Sequence, residues 1–203
     1  MSDPYVYPNT HVLINKEDIR DAADLEQFER LMTAQRLREG LPKVPLTADG
    51  YRTLHEHLFQ DVYEWAGKTR TVDIAKNNAM FCFAAYVDGE LDKRFAAIRD
   101  ENGLQGLSVA QFAERAGEHL SELNAVHPFR EGNGRTQRAF LVVLAEQAGH
   151  KIDLQRIDPI AWNEASKQSF STADSAPMRE VILGSIVLHQ PPPLKTQPPN
   201  GPR

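Results

Sequence analysis

Only one stretch of this chain carries period-two hydrophobicity, and that confines any sheet to a small hairpin. In Thr71–Phe83, Val72 and Ile74 alternate with polar neighbours, and Lys76-Asn77-Asn78 precedes Met80-Phe81-Cys82-Phe83. Asparagine tolerates positive φ, so Asn77-Asn78 predicts a turn between two short strands. Over much of the rest, apolar residues recur at helical spacing. Ile19, Ala22, Leu25, Phe28, Leu31 and Met32 mark a helix over about 19–39. Asn15 is placed to cap its approach, and Gly40 with Pro42 to end it. A second helix follows Thr47 with Tyr51, Leu54, Leu58, Val62 and Trp65 on one face, and Gly67 closes it. A third is predicted over about 86–100, with Leu91, Phe95 and Ile98 inward.

Ser108 and Gln111 have capping-box spacing and open a helix to about Asn124. After a loop over 125–133, another helix runs from Gly134 to Gln147 and stops at Gly149. Pro159 opens a short helix through Trp162, and Ser175 with Pro177 opens a last one through Val187. The predicted fold class is therefore all-α, a helical bundle with one hairpin. Six of the thirteen prolines fall in 191–203, which predicts a linker or tail outside a domain of residues 1–190.

Composition narrows the function classes. Cys82 is the only cysteine, which excludes a disulfide framework or a cysteine-type zinc site within one chain. The net charge of −5 leaves no global basic field, so no nucleic-acid partner is expected. The longest apolar runs, such as Phe140–Ala145, are too short to span a bilayer, so no membrane is expected either. Met1-Ser2-Asp3-Pro4 lacks the basic and apolar regions of a signal peptide, and the expected setting is the cytoplasm.

Three short matches mislead. Gly67-Lys68-Thr69 resembles the end of a phosphate-binding P-loop, but the required earlier glycine is Val62. Gly132-Asn133-Gly134 begins like a dinucleotide fingerprint, but its third glycine position is Gln137 and no strand precedes it. His55-Glu56-His57 places two histidines about 200° apart on a helix, so they do not share a metal.

The chemistry lies in His127-Pro128-Phe129-Arg130-Glu131-Gly132-Asn133-Gly134-Arg135-Thr136-Gln137-Arg138. Two glycines around an asparagine allow backbone N–H groups to converge on an anion. A helix N-terminus follows, which favours anions again. Arg135 and Arg138, three apart, share a helix face and suit a polyphosphate. A carboxylate such as Glu131 beside phosphates requires a cation between them. Mg²⁺ held by one carboxylate plus phosphate oxygens meets that need. His127 is the residue type suited to general-base work near neutral pH. Phe129 is expected to anchor the loop in the core. Together these parts point to in-line phosphoryl or nucleotidyl transfer from a magnesium nucleotide.

The same stretch resembles the Fic family signature HPF-x-[D/E]-GNGR-x-x-R at every defined position. The resemblance covers about residues 5–190 and implies a Fic-type helical bundle whose hairpin, within Gly67–Phe83, is the family's flap. It implies transfer of AMP from ATP to a hydroxyl side chain of a target protein, with release of pyrophosphate. On that reading His127 deprotonates the hydroxyl, and Glu131 holds Mg²⁺ between the α- and β-phosphates. Gly132, Asn133 and Gly134 cradle the phosphates, and Arg135 and Arg138 neutralise the β- and γ-phosphates. Lys76 and Asn77 at the hairpin tip are candidate nucleotide contacts. Ile74 and Phe81 are candidate target-positioning residues on a flap that pairs with an extended target segment.

A phosphorylating branch carries Lys or Arg where this chain has Gly134, which favours AMP transfer; UMP, GMP or phosphocholine transfer stays open. A non-catalytic nucleotide-binding module is the alternative class. A two-metal hydrolase lacks the further His and Asp ligands it needs. Many family members carry an inhibitory [S/T]-x-x-x-E-[G/N] helix whose glutamate pairs with the arginine equivalent to Arg138. Here Glu39-Gly40 and Glu101-Asn102 are preceded four residues earlier by Gln35 and Ala97, so that motif is missing. The resemblance then implies a separate antitoxin protein supplying the glutamate, or a secreted effector.

Overall fold

The computed structural model describes residues 3–76 and 79–187. The predicted turn residues Asn77-Asn78, and so the expected Asn77 contact, lie outside the described residues, as does the 191–203 segment. Among the described residues the elements are α1 (Ala22–Glu39), α2 (Ala48–Phe59), β1 (Ala75–Lys76), β2 (Ala79–Met80), α3 (Val87–Asp100), α4 (Val109–Val126), α5 (Asn133–Ala148), α6 (Pro159–Thr172) and α7 (Ala176–Ser185). The strands pair antiparallel with Ala75 opposite Met80 and Lys76 opposite Ala79. That register spans the two residues predicted to turn.

α4 is the central element and packs against α3, α5, α6 and α7. It starts at the capping box: the Ser108 hydroxyl accepts from the Gln111 N–H, and the Gln111 amide accepts from the Ser108 N–H. Its inward row of Phe112, Ala116, Leu120 and Leu123 is fully buried. Gly117 lets α7 approach closely, since a Cβ there would lie 3.1 Å from the Arg179 backbone nitrogen. Beside α4, the Tyr51 ring meets Phe95, Phe140 and Phe129 at centroid distances of 5.5, 5.5 and 5.6 Å. Phe129, buried in this knot, anchors the signature loop as expected. A second apolar cluster joins Tyr7, Val12 and Leu13 of the N-terminal segment, and Leu25 of α1, to Leu58, Phe59, Val62 and Tyr63.

Four expectations are corrected. The cap of α1 is Asp21, which accepts from the N–H groups of Ala23 and Asp24. Asn15 instead accepts from the Ile19 N–H at 2.9 Å and ties the loop before the helix. Leu31 is 57 % exposed, because the inward row of α1 is Leu25, Glu29 and Thr33. α2 ends at Phe59, and Val62 and Trp65 follow it in turns. α6 does not stop at Trp162 but runs to Thr172; after Trp162 its buried residues are Ala165 and Ser169, too small or polar to print an apolar period.

Candidate active site

The signature loop joins the C-terminus of α4 to the N-terminus of α5. His127 is the residue that stops α4. It adopts a left-handed conformation with φ 48°, and its N–H still donates to the Leu123 carbonyl. Its Nδ1 lies 3.3 Å from the Asn124 carbonyl oxygen. A carbonyl only accepts, so Nδ1 carries the proton and Nε2 keeps its lone pair. The ring stacks on Phe81 with centroids 3.9 Å apart, and Phe81 packs in turn on Phe170 of α6. Burial pushes the imidazole pKa down to about 4, aided by the nearby Arg70 and Lys76 charges and opposed by the Asn124 carbonyl. His127 is therefore neutral at physiological pH, the state a proton acceptor needs. Replacing Phe81 with alanine should let water reach the ring and move this pKa up toward 6.5. An imidazole NMR titration measures it, and an unmoved value would show that the loop alone excludes water.

The loop is braced from inside. The Asn133 side chain accepts from the Phe129 N–H at 2.9 Å and donates to the Phe129 carbonyl at 2.8 Å. With that side chain occupied, Asn133 offers an anion its backbone N–H. Gly132 is left-handed at φ 82°, and a Cβ on it would lie 2.3 Å from the Phe59 ring. The first helical bond of α5 runs from the Thr136 N–H to the Gly132 carbonyl. The N–H groups of Asn133, Gly134 and Arg135 are thus the open first turn, a position that favours anions. Glu131 accepts from the Gly132 N–H through Oε1, at 2.8 Å, and the side chain is about half exposed.

Both signature arginines face the same cleft, an open space of about 1130 Å³ between the loop, the flap, α1 and α6. They differ in their surroundings. Arg135 pairs with Glu29 of α1 and lies 4.7 Å above the Phe59 ring. Arg138 meets no carboxylate among the described residues; its guanidinium lies 5.9 Å from the Trp162 ring, and burial lowers its pKa, with Arg135 adding to the effect. Gln137, at a variable motif position, is wholly buried at the cleft, and neither of its amide atoms has a partner among the described residues.

The flap residues divide. Lys76 is exposed and lines the cleft. Ile74 lines it too, and its carbonyl accepts from the Phe81 N–H at 3.2 Å, extending the hairpin inward. Phe81 is only 8 % exposed because its ring covers His127.

Several supporting residues were not found by sequence reasoning. Arg70, 2 % exposed, donates to the carbonyls of His127, Val72, Val126 and Cys82. It ties the foot of the flap to the loop that holds His127. His55 accepts from the Gly67 N–H at Nδ1 and donates from Nε2 to the Glu131 carbonyl at 3.0 Å. Its ring stacks 3.8 Å from Phe129, and burial lowers its pKa to about 3. It is a neutral spacer under the loop, and His57 bonds elsewhere, to the Arg36 carbonyl. The signal for His55 was its position on the apolar face of α2, four residues after Tyr51. Arg70 has no such signal.

No cluster of three or more metal-ligating side chains exists among the described residues. Glu131, whose Oε2 has no protein partner among the described residues, is the carboxylate that could hold a cation here. That fits a hard cation that takes its remaining oxygens from a polyphosphate and water.

A family model described as Fic/DOC family matches residues 45–145. The chain is 44 % identical over 187 residues to the probable protein adenylyltransferase y4lH of Sinorhizobium fredii, covering 92 % of this chain and 97 % of that protein. It is 38 % identical over 193 residues to the probable protein adenylyltransferase Fic of Escherichia coli, covering 91 % and 92 %. A crystal structure of the BepC effector from Bartonella tribocorum, with bound AMPPNP, superposes with a TM-score of 0.85 at 27 % identity, covering 92 % of this chain and 97 % of that one. With the signature complete and correctly placed between α4 and α5, the chain belongs to the Fic/DOC family.

Proposed function

We propose that this chain is a protein adenylyltransferase in which His127 is the general base for attack by a target hydroxyl on the α-phosphorus of ATP. The hydroxyl proton passes to Nε2 of His127. The oxygen forms a bond to the α-phosphorus as the bond to the bridging oxygen breaks, and pyrophosphate leaves. The observation that carries this reading is the pairing of a neutral imidazole, its Nε2 lone pair free, with the open first turn of α5 across one cleft. The relatives bearing the adenylyltransferase name support it, as does a nucleotide analogue bound in a structural neighbour.

The N–H groups of Asn133, Gly134 and Arg135 receive phosphate oxygens, and Gly132 shapes the turn that exposes them. Arg135 and Arg138 take the β- and γ-phosphates, and Lys76 reaches the nucleotide from the flap. Glu131 would hold Mg²⁺, which would supply neutralisation of triphosphate charge. Ile74 and the flap backbone align an extended segment of the target. A separate antitoxin protein supplies an inhibitory glutamate to Arg138. The lack of any carboxylate at Arg138 among the described residues supports this last assignment.

The test uses a lysate as the acceptor pool. Relative to lysate alone, added chain should bring label from α-labelled ATP into protein and no additional label from γ-labelled ATP. The reverse pattern would make the enzyme a kinase, and ATP binding with neither label transferred would make it a binding module.

A further inference from the structure

α1 precedes the residues matched by the family model, yet three of its residues, Glu26, Glu29 and Arg30, line the cleft. In the inward row Leu25, Glu29, Thr33, the middle residue is an acid with its side chain only 7 % exposed. Oε1 of Glu29 accepts the Tyr63 phenol, and Oε2 accepts Nη2 of Arg135. Burial, and then the Glu29 charge, push the phenol pKa up, so Tyr63 stays a donor. The Phe59 ring lies 4.7 Å beneath the guanidinium, and Glu131 Oε1 lies 3.5 Å from the same Nη2.

A guanidinium held at one nitrogen and one face is fixed in its plane. Nε and Nη1 are then presented in a set direction. An arginine free to rotate would lose that freedom on meeting a phosphate, whereas one held in advance loses little. Glu29 already has two donors in a buried position, and unpairing such a carboxylate is strongly unfavourable. It is therefore suited to stay with the wall when a ligand enters, not to leave it.

We infer that Glu29 is a positioning residue which, with Tyr63 and Phe59, sets Arg135 for the distal phosphates of the nucleotide, so that α1 forms part of the nucleotide site. This rests on the phosphate role proposed for Arg135.

The test is calorimetric binding of ATP and of AMP, with Mg²⁺ in excess, to the full chain. Removing one charge-assisted hydrogen bond should weaken ATP binding about tenfold in Glu29→Ala. AMP, which lacks the distal phosphates, should bind unchanged. Arg135→Ala should weaken ATP at least as much, and adding Glu29→Ala to it should cost nothing further. Glu29→Gln keeps the shape and guards against misfolding; an intermediate loss is expected. Equal losses for ATP and AMP would make Glu29 merely structural and overturn the inference. So would unchanged or tighter ATP binding in both Glu29 variants, which would mean that the carboxylate competes with phosphate. If Arg135→Ala itself leaves ATP affinity unchanged, the role proposed for Arg135 fails, and this inference with it.

Discussion

Transfer of AMP should fall by roughly 10²–10⁴-fold when His127 is replaced by alanine, the usual worth of a positioned general base. ATP affinity should stay close to that of the parent, because the groups proposed to bind phosphate lie on α5 and not on the imidazole. Parallel transfer and calorimetric assays separate the two effects, and a variant with unchanged transfer would remove His127 from the mechanism. The pH profile adds a second check. The imidazole of an ordinary histidine loses its basic form below about pH 6.5. Here burial holds the pKa near 4. The kcat/KM for ATP should therefore stay level as pH falls through 6.5 and drop only near pH 4, as the free enzyme's base becomes protonated. The same shift costs stability on the acid side. The folded state favours the neutral ring, so its contribution is complete above pH 6.5 and is lost as pH falls from 6.5 toward 4.

Arg70→Met should destabilise the fold by about 3–5 kcal/mol, the scale of leaving several buried carbonyls without their donor. Arg70 has no carboxylate partner among its hydrogen bonds. Instead, Nε meets the His127 carbonyl at 2.8 Å, Nη1 the Val72 carbonyl at 2.7 Å and Nη2 the Val126 carbonyl at 3.3 Å, with Cys82 as the fourth acceptor. Methionine fills some of the volume but donates nothing, so four carbonyls lose a donor. Arg70→Lys should recover only part of the loss, since one ammonium cannot span acceptors spread over two chain segments. Urea unfolding with an unchanged slope and a lower midpoint is the expected reading. Transfer should fall as well, because the staple joins the flap to the carbonyl of the base. A Met variant as stable as the parent would show that the flap is held by its backbone bonds alone.

Elements whose ends carry local chemistry were legible in the sequence. The capping box at Ser108 and Gln111 and the Gly149 stop fixed α4 and α5 closely, because capping is a contact between residues three or four apart. α6 was cut short because its inward face carries Ala165 and Ser169, which pack without printing an apolar stripe. The site divides the same way. The signature residues sit together in the chain and could be read together. Their supports could not: Arg70 reaches His127 across 57 positions, His55 reaches Glu131 across 76, and Glu29 reaches Arg135 across 106. Arg70 and His55 bond to main-chain groups, which every residue carries. No residue-type pattern records such a partnership.

The left-handed turn at His127 sets local preference against function. At φ 48° an L side chain with a Cβ is disfavoured, and glycine or asparagine would end α4 there more comfortably. Mutation at this codon therefore runs downhill toward residues that keep the helix stop and lose the base. A copy with glycine or asparagine here would ease the backbone yet leave the Phe81 ring without its stacking partner, so the strain at this position is offset by the packing of the side chain that creates it.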